Sequence, residues 1–283
     1  MPHATQPLRY RLLALDLDGT LLSSDQSILP ETRDALFEVR RRGIDVVLVT
    51  GRQHIMAHPY HVELELDAPV VCCNGTYLYD FKRGEVLASD PLGRDSALEL
   101  VSHGRRNGVD MVLYIDHMMT CERFDKRMQS LKDWAATVPE ALRPDLRLSA
   151  HGFEADIAAA DQVWKMVVSH DDPARIAHFV EEISGVLPVS CEWSWQNRVD
   201  VTRVGNSKGK RLAELAQQRG IAASEVIAFG DHLNDLSMLT YAGMGVAMGN
   251  AEQEVRDRAD HVTASNDENG IAKALQRLVL ASH

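Results

Sequence analysis

Asp16 and Asp18 stand two apart in Asp16-Leu17-Asp18-Gly19-Thr20, directly after the apolar stretch Leu12-Leu13-Ala14-Leu15. Two carboxylates therefore emerge where a buried strand pattern ends. A carboxylate taken from water without a partner costs several kcal/mol or changes its pKa, so the pair implies a bound cation, a proton, or both. A strand closing in an Asx or Gly turn would use the same residues without any chemistry.

Three further elements carry reactive residue types at the ends of apolar runs. Thr50-Gly51-Arg52 follows Val46 to Val49 and brings a hydroxyl and backbone amides to a helix N-terminus, where they would face a phosphoryl group. The bland alternative is a turn that caps the next helix. Lys208, in Asn206-Ser207-Lys208-Gly209-Lys210, opens a helical pattern; a mobile ammonium there would follow moving charge or simply be solvated. Gly230-Asp231-His232-Leu233-Asn234-Asp235 follows Val226 to Phe229 and offers the hard oxygen ligands that magnesium prefers.

These four elements, in this order, resemble the motifs of the haloacid dehalogenase superfamily of phosphotransferases. The resemblance implies that Asp16 is the phosphorylated nucleophile and that Asp18 shuttles a proton to the leaving alkoxide and from water. It implies a phosphate site of Asp16, Leu17, Thr50, Gly51, Lys208 and Asn234. The cofactor implied is Mg2+, on the Asp16 carboxylate, the Asp18 backbone carbonyl and the Asp231 carboxylate, with Asp235 supporting the lysine and the loop. Dehalogenases lack the second Asp of the opening pair, so Asp18 speaks for phosphate chemistry against carbon–halogen cleavage.

The elements that must position these residues read as an α/β core with an insertion. Strand and helix patterns alternate from residue 11 to about 73: apolar Leu12 to Leu17, helical Glu31 to Arg42 closed by Gly43, apolar Ile44 to Val49, a second helix, then a third strand at Val70 to Cys73. The alternation returns after Gly205, with a helix over Lys208 to Gln218, a strand at Val226 to Phe229, a helix near Leu233 to Ala242 and a strand at Gly245 to Met248. A doubly wound parallel sheet results, with the site at its carboxyl edge. Residues 1–78 and 205–283 are expected to form this discontinuous core and residues 79–204 an α+β cap. Within the cap the strand candidates include Met111 to Ile115, Trp164 to Ser169 and Val189 to Trp193, with helices near Ala97 to Asn107 and Ala174 to Ile183.

The inserted segment resembles the C2-type cap of the Cof-type phosphatases, a lid that excludes water and selects substrate. His58-Pro59-Tyr60, Cys72 to Tyr79, Trp164-Lys165, Cys191 to Trp195 and Asn206 to Leu212 are similar to stretches of the bacterial pyridoxal phosphate phosphatases. That likeness implies a small phosphorylated metabolite as partner, pyridoxal 5′-phosphate of vitamin B6 metabolism, with sugar phosphates such as fructose 1,6-bisphosphate also admitted. An aromatic substrate needs stacking partners and a few polar contacts, for which His54, Asn74, Tyr79, Trp193 and Trp195 are candidates, although such aromatics more often pack in a core. His54, His58 and His61 share one helical face, but Pro59 should interrupt that helix and the pattern lacks the Glu of a zinc motif. The alternatives are a sugar-phosphate phosphatase or phosphomutase, and an idle phosphate or cofactor sensor, against which the complete set of reactive residues argues.

Composition bounds the remaining classes. A formal charge of −11 disfavours nucleic acid, because phosphate-backbone binding needs a basic field. No stretch nears the roughly 18 apolar residues of a membrane span. The segment Met1 to Arg11 carries neither an apolar export signal nor a small-residue cleavage site, and the four cysteines form no zinc or disulfide spacing, so a cytoplasmic setting is expected. On the oligomeric state the sequence is nearly silent.

Overall fold

The computed structural model describes residues 9–281, so most of the stretch Met1 to Arg11 on which the export reading rests lies outside the described residues. Two compact units form, one from the described residues up to Val49 together with those from Leu212 onward, the other from Thr50–Arg211.

The first unit is built on a five-stranded parallel sheet whose central strand, Leu12–Leu15, is buried at every position. It lies between Asp45–Leu48 and Val226–Gly230, and Met244–Ala247 and His261–Val262 complete the order outward. A strand buried on both faces reads as a continuous apolar run, which is why Leu12-Leu13-Ala14-Leu15 shows no alternation. Leu15 pairs with Leu48 on one side and Phe229 on the other, so all three strands end at one edge. The helix Pro30–Arg41 starts with Pro at its first turn, buries Thr32, Leu36 and Val39, and is followed by Gly43 at φ +86°.

The second unit holds a six-stranded sheet in the order Val189–Trp195, Arg198–Arg203, Val163–Ser169, Asp110–Ile115, Met118–Cys121 and Asp145–Leu148, antiparallel except for the last pair. Its helices Arg94–Asn107, Phe153–Ala159 and Pro173–Ile183 pack Leu100, Phe153, Ile157 and Phe179 against Met166, Val168 and Val199 of the sheet.

Two expectations are corrected here. Val70–Cys72 does not join the parallel sheet; it heads a separate three-stranded antiparallel sheet with Tyr77–Asp80 and Glu85–Ser89. The cause is local: Cys73 and Asn74 adopt left-handed backbone at φ 50° and 56°, so the chain turns back at once and pairs with itself. Pro59 does not interrupt its helix either, because His54–Glu63 runs through it. One backbone hydrogen bond is lost, and burial of Met56, Ala57 and Tyr60 on the same helix outweighs that loss. Among the described residues no helix is long and apolar enough to cross a membrane.

Candidate active site

In the first unit the strand register decides which acids meet. Asp16 follows Leu15 and donates its N–H to Phe229 O at 3.1 Å, while Asp231 follows Gly230, the last residue of the neighbouring strand. Asp16, Asp231 and Asp235 each bring a carboxylate oxygen into one cluster, all within 4.8 Å of one another, with Asp16 and Asp235 buried. Asp235 reaches the cluster because its Oδ2 accepts the N–H groups of Asp231 (2.9 Å) and His232 (3.1 Å), which folds the turn Leu233–Asp235 back on the strand end. Leu17 is buried, Asp18 is exposed, and Asn234 is half-buried in the same turn as Asp235.

Three residues that were given no role from the sequence shape this cluster. Thr20 Oγ1 donates to Asp231 Oδ1 at 2.8 Å. Asn250, just after Met244–Ala247, donates through Nδ2 to Gly19 O at 2.8 Å and to Asp231 Oδ2 at 3.4 Å. Gly19 has φ +77°, and a Cβ there would stand 2.3 Å from Asp231 Oδ2, so only glycine leaves the carboxylate its place. Their signal was faint: Thr20 belongs to the opening motif, and Asn250 follows another strand end.

The donor set suits a hard divalent cation. Three carboxylates this close repel one another unless a proton or a cation intervenes. Every ligand atom offered is a carboxylate oxygen, which favours magnesium, calcium or manganese over softer metals.

In the second unit Thr50 is fully buried, and its N–H donates to Val71 O at 2.9 Å. Its Oγ1 accepts the Arg52 N–H at 3.0 Å, closing a tight hydroxyl turn around Gly51. Asn74 is buried as well and donates its N–H to Thr50 O at 3.1 Å. Gly75 has φ +87°, and a Cβ on it would stand 2.1 Å from Ser207 O, so the Asn74-Gly75 turn seats directly against the start of the Lys208–Gln218 helix. Lys208 is buried there, and Arg211 one turn on donates to Gly75 O at 3.0 Å and to Asp90 at 2.8 Å. The Arg52 guanidinium lies over the rings of Tyr60 and Trp134, 5.4 and 5.5 Å from their centres.

The aromatic candidates separate. His54 is buried, stacks on Tyr79 with ring centres 3.9 Å apart, and shares hydrogen bonds with Tyr77 Oη (2.8 Å) and His117 Nδ1 (2.9 Å). Burial first, then the neighbouring His117 and His58, lowers its pKa to about 3, so the ring is neutral near pH 7. His58 stacks on Phe81, and His61 donates to Ala68 O while its ring also lies 4.6 Å from that of Phe81, so this face of the helix packs on an aromatic side chain. Trp193 packs against the helix–sheet core, whereas Trp195 at the end of the same edge strand is 65% exposed.

Known proteins match along nearly the whole chain. Residues 13–275 fit the family described as haloacid dehalogenase-like hydrolase. The chain is 41% identical over 263 residues to the pyridoxal phosphate phosphatase YbhA of Escherichia coli (strain K12), covering 93% of this chain and 96% of that one. It is 30% identical to a 5-amino-6-(5-phospho-D-ribitylamino)uracil phosphatase of Bacillus subtilis (strain 168), over 95% and 96% of the two chains. A haloacid dehalogenase-like hydrolase from Bacteroides thetaiotaomicron shares the fold with a TM-score of 0.83 at 29% identity, over 95% of this chain and 99% of that one.

Proposed function

Because the chain belongs to the haloacid dehalogenase-like hydrolases and is a phosphatase of that family, we propose that it hydrolyses pyridoxal 5′-phosphate through an aspartyl phosphate on Asp16. The observation that carries the chemistry is the buried cluster of Asp16, Asp231 and Asp235 at the carboxyl edge of the parallel sheet. The similarity to the Escherichia coli enzyme supports the substrate, since it extends through the segment to which we assign substrate choice, residues 79–204. Residues 1–78 and 205–283 carry the chemistry in this reading.

Asp16 attacks phosphorus in line with the departing pyridoxal oxygen, and a carboxylate nucleophile divides one displacement into formation and hydrolysis of an acyl phosphate. Asp18, exposed beside it, gives a proton to the leaving oxygen and later takes one from the attacking water. Lys208 offsets charge on the transferring oxygens. Leu17, Asn234, Thr50 and Gly51 carry the amide and hydroxyl donors assigned to phosphate in this reading. The Asp16 and Asp231 carboxylates with the Asp18 carbonyl would hold Mg2+, and Asp235 keeps the loop in place through the Asp231 and His232 N–H groups. When bound, the metal neutralises the acidic cluster and polarises the phosphoryl group. The buried cysteines Cys72, Cys73 and Cys121, all thiols, agree with a reducing cytoplasmic setting.

A second reading, hydrolysis of sugar or ribityl phosphates, is favoured by the Bacillus subtilis relative. A panel of pyridoxal 5′-phosphate, fructose 1,6-bisphosphate, a hexose monophosphate and a ribityl phosphate, each assayed with magnesium and with EDTA, separates the two. The proposal expects the highest kcat/KM on pyridoxal 5′-phosphate and no turnover with EDTA. Equal turnover across the panel contradicts the substrate assignment, and magnesium-independent turnover contradicts the metal.

A further inference from the structure

All three carbonyls of Thr50-Gly51-Arg52 are held by donors of the second unit. Asn74 N–H donates to Thr50 O at 3.1 Å and Cys73 N–H to Arg52 O at 3.0 Å. The third donor is a side chain: Lys165 Nζ donates to Gly51 O at 2.7 Å from the middle of Val163–Ser169. Lys165 is only 2% exposed, and its Nζ also lies 2.7 Å from Asp200 Oδ2. Asp200, also buried, on Arg198–Arg203, accepts Asn74 Nδ2 at 3.1 Å through that same oxygen. A Cβ on Gly51 would stand 2.9 Å from Asn74 Oδ1 and 3.5 Å from Asp200 Oδ2, so the loop rests directly on this network.

Stability does not explain a buried ion pair of this kind, because an apolar pair of similar volume is often as stable. Burial opposes the Lys165 ammonium, yet attraction to Asp200, with smaller help from Tyr114 and Cys73, leaves its pKa raised, so the donor stays charged. What the ammonium adds is a directed donor. In a trans peptide the C=O and N–H point opposite ways. Drawing Thr50 O to Asn74 turns the Gly51 N–H away from the network, and drawing Gly51 O to Lys165 turns the Arg52 N–H the opposite way, toward Thr50 Oγ1, which it meets at 3.0 Å. We propose that Lys165, anchored by Asp200, is a positioning residue that sets the Thr50-Gly51-Arg52 peptide planes for phosphate binding. This rests on the reading of Thr50 and Gly51 as phosphate ligands.

The test uses inorganic phosphate as an inhibitor of the full-length, magnesium-loaded enzyme, because a purely structural role would not alter phosphate affinity in a folded variant. K165M/D200L removes the pair and leaves no uncompensated charge. With circular dichroism and a cooperative melt preserved, phosphate inhibition should weaken on the order of tenfold and kcat fall on the order of tenfold to a hundredfold, since small displacements of binding groups have effects of that size. K165R, which keeps the charge on a different donor geometry, should recover part of the loss while staying several-fold weaker than the parent in phosphate inhibition. If the double variant does not fold, K165R alone decides. Phosphate inhibition and kcat within twofold of the parent, in whichever variant is folded, overturn the proposal. T50V separates the two layers: if it weakens phosphate inhibition while the Lys165 variants do not, only the positioning role fails. If T50V also leaves phosphate inhibition unchanged, the phosphate-loop reading fails and takes this inference with it.

Discussion

Gly19 is among the most constrained residues near the acidic cluster. Its φ of +77° and the 2.3 Å approach of a built Cβ to Asp231 Oδ2 mean that Gly19→Ala strains the backbone and displaces a carboxylate. We expect the midpoint for magnesium activation to rise at least tenfold in that variant, and the affinity for manganese, read by electron spin resonance, to fall in parallel. An unchanged metal affinity would remove Asp231 from the ligand set. Asp16 and Asp231 were legible in the sequence because each directly follows an apolar strand pattern, and parallel register does the rest. Asp235 as a third member of the cluster was not, since its place depends on a turn closed by two backbone N–H groups, which spacing alone does not encode. Lys165 and Asp200 were hidden for a related reason: both lie in strand interiors, and only the pairing of Arg198–Arg203 with Val163–Ser169 brings them together.

At the scale of elements, the helix His54–Glu63 follows the Thr50-Gly51-Arg52 turn and ties it to the rest of the second unit. Its first residue is a buried histidine whose pKa is lowered to about 3, and a helix N-terminus further disfavours a cation there. Well above pH 6.5 the ring is neutral whether folded or unfolded, so no pH dependence arises from it there. As the pH falls from 6.5 toward 3, the unfolded chain takes up a proton that the folded state refuses, and stability is lost at up to about 1.4 kcal/mol per pH unit. Urea unfolding of His54→Gln should therefore lose about 2 kcal/mol less between pH 7 and pH 5 than the parent does. An identical loss in both proteins would show that another group governs the acid limb. The helix itself was readable but its continuity was not, because Pro59 signals a break and the buried Met56, Ala57 and Tyr60 override it. Asn74-Gly75 is a residue pair that favours a turn, but its consequence, an antiparallel partner for Val70–Cys72, competes with the alternation that pointed to a third parallel strand.

For the whole molecule, the parallel core was the more legible part, since strands buried on both faces announce themselves as apolar runs bounded by turns. The six-stranded sheet was only half visible: Met118–Cys121 and Asp145–Leu148 are four residues each and carry polar or basic side chains that blur the pattern. Net charge acts at this scale too. A chain of −11 repels a phosphorylated substrate until local groups take over, so raising ionic strength from about 0.01 to 0.15 M, which shortens the screening length from about 30 to 8 Å, should raise kcat/KM for pyridoxal 5′-phosphate. A fall instead would mean that positive groups dominate the approach. In the mechanism we propose, turnover depends on one covalent bond. Acid quench during steady-state hydrolysis of pyridoxal 5′-phosphate labelled in its phosphate, followed by peptide mapping, tests that bond directly. An acid-stable, base-labile label is expected on the peptide containing Asp16, absent from Asp16→Asn, which should also be inactive. Label on another residue, or active Asp16→Asn enzyme with no labelled peptide, would contradict it.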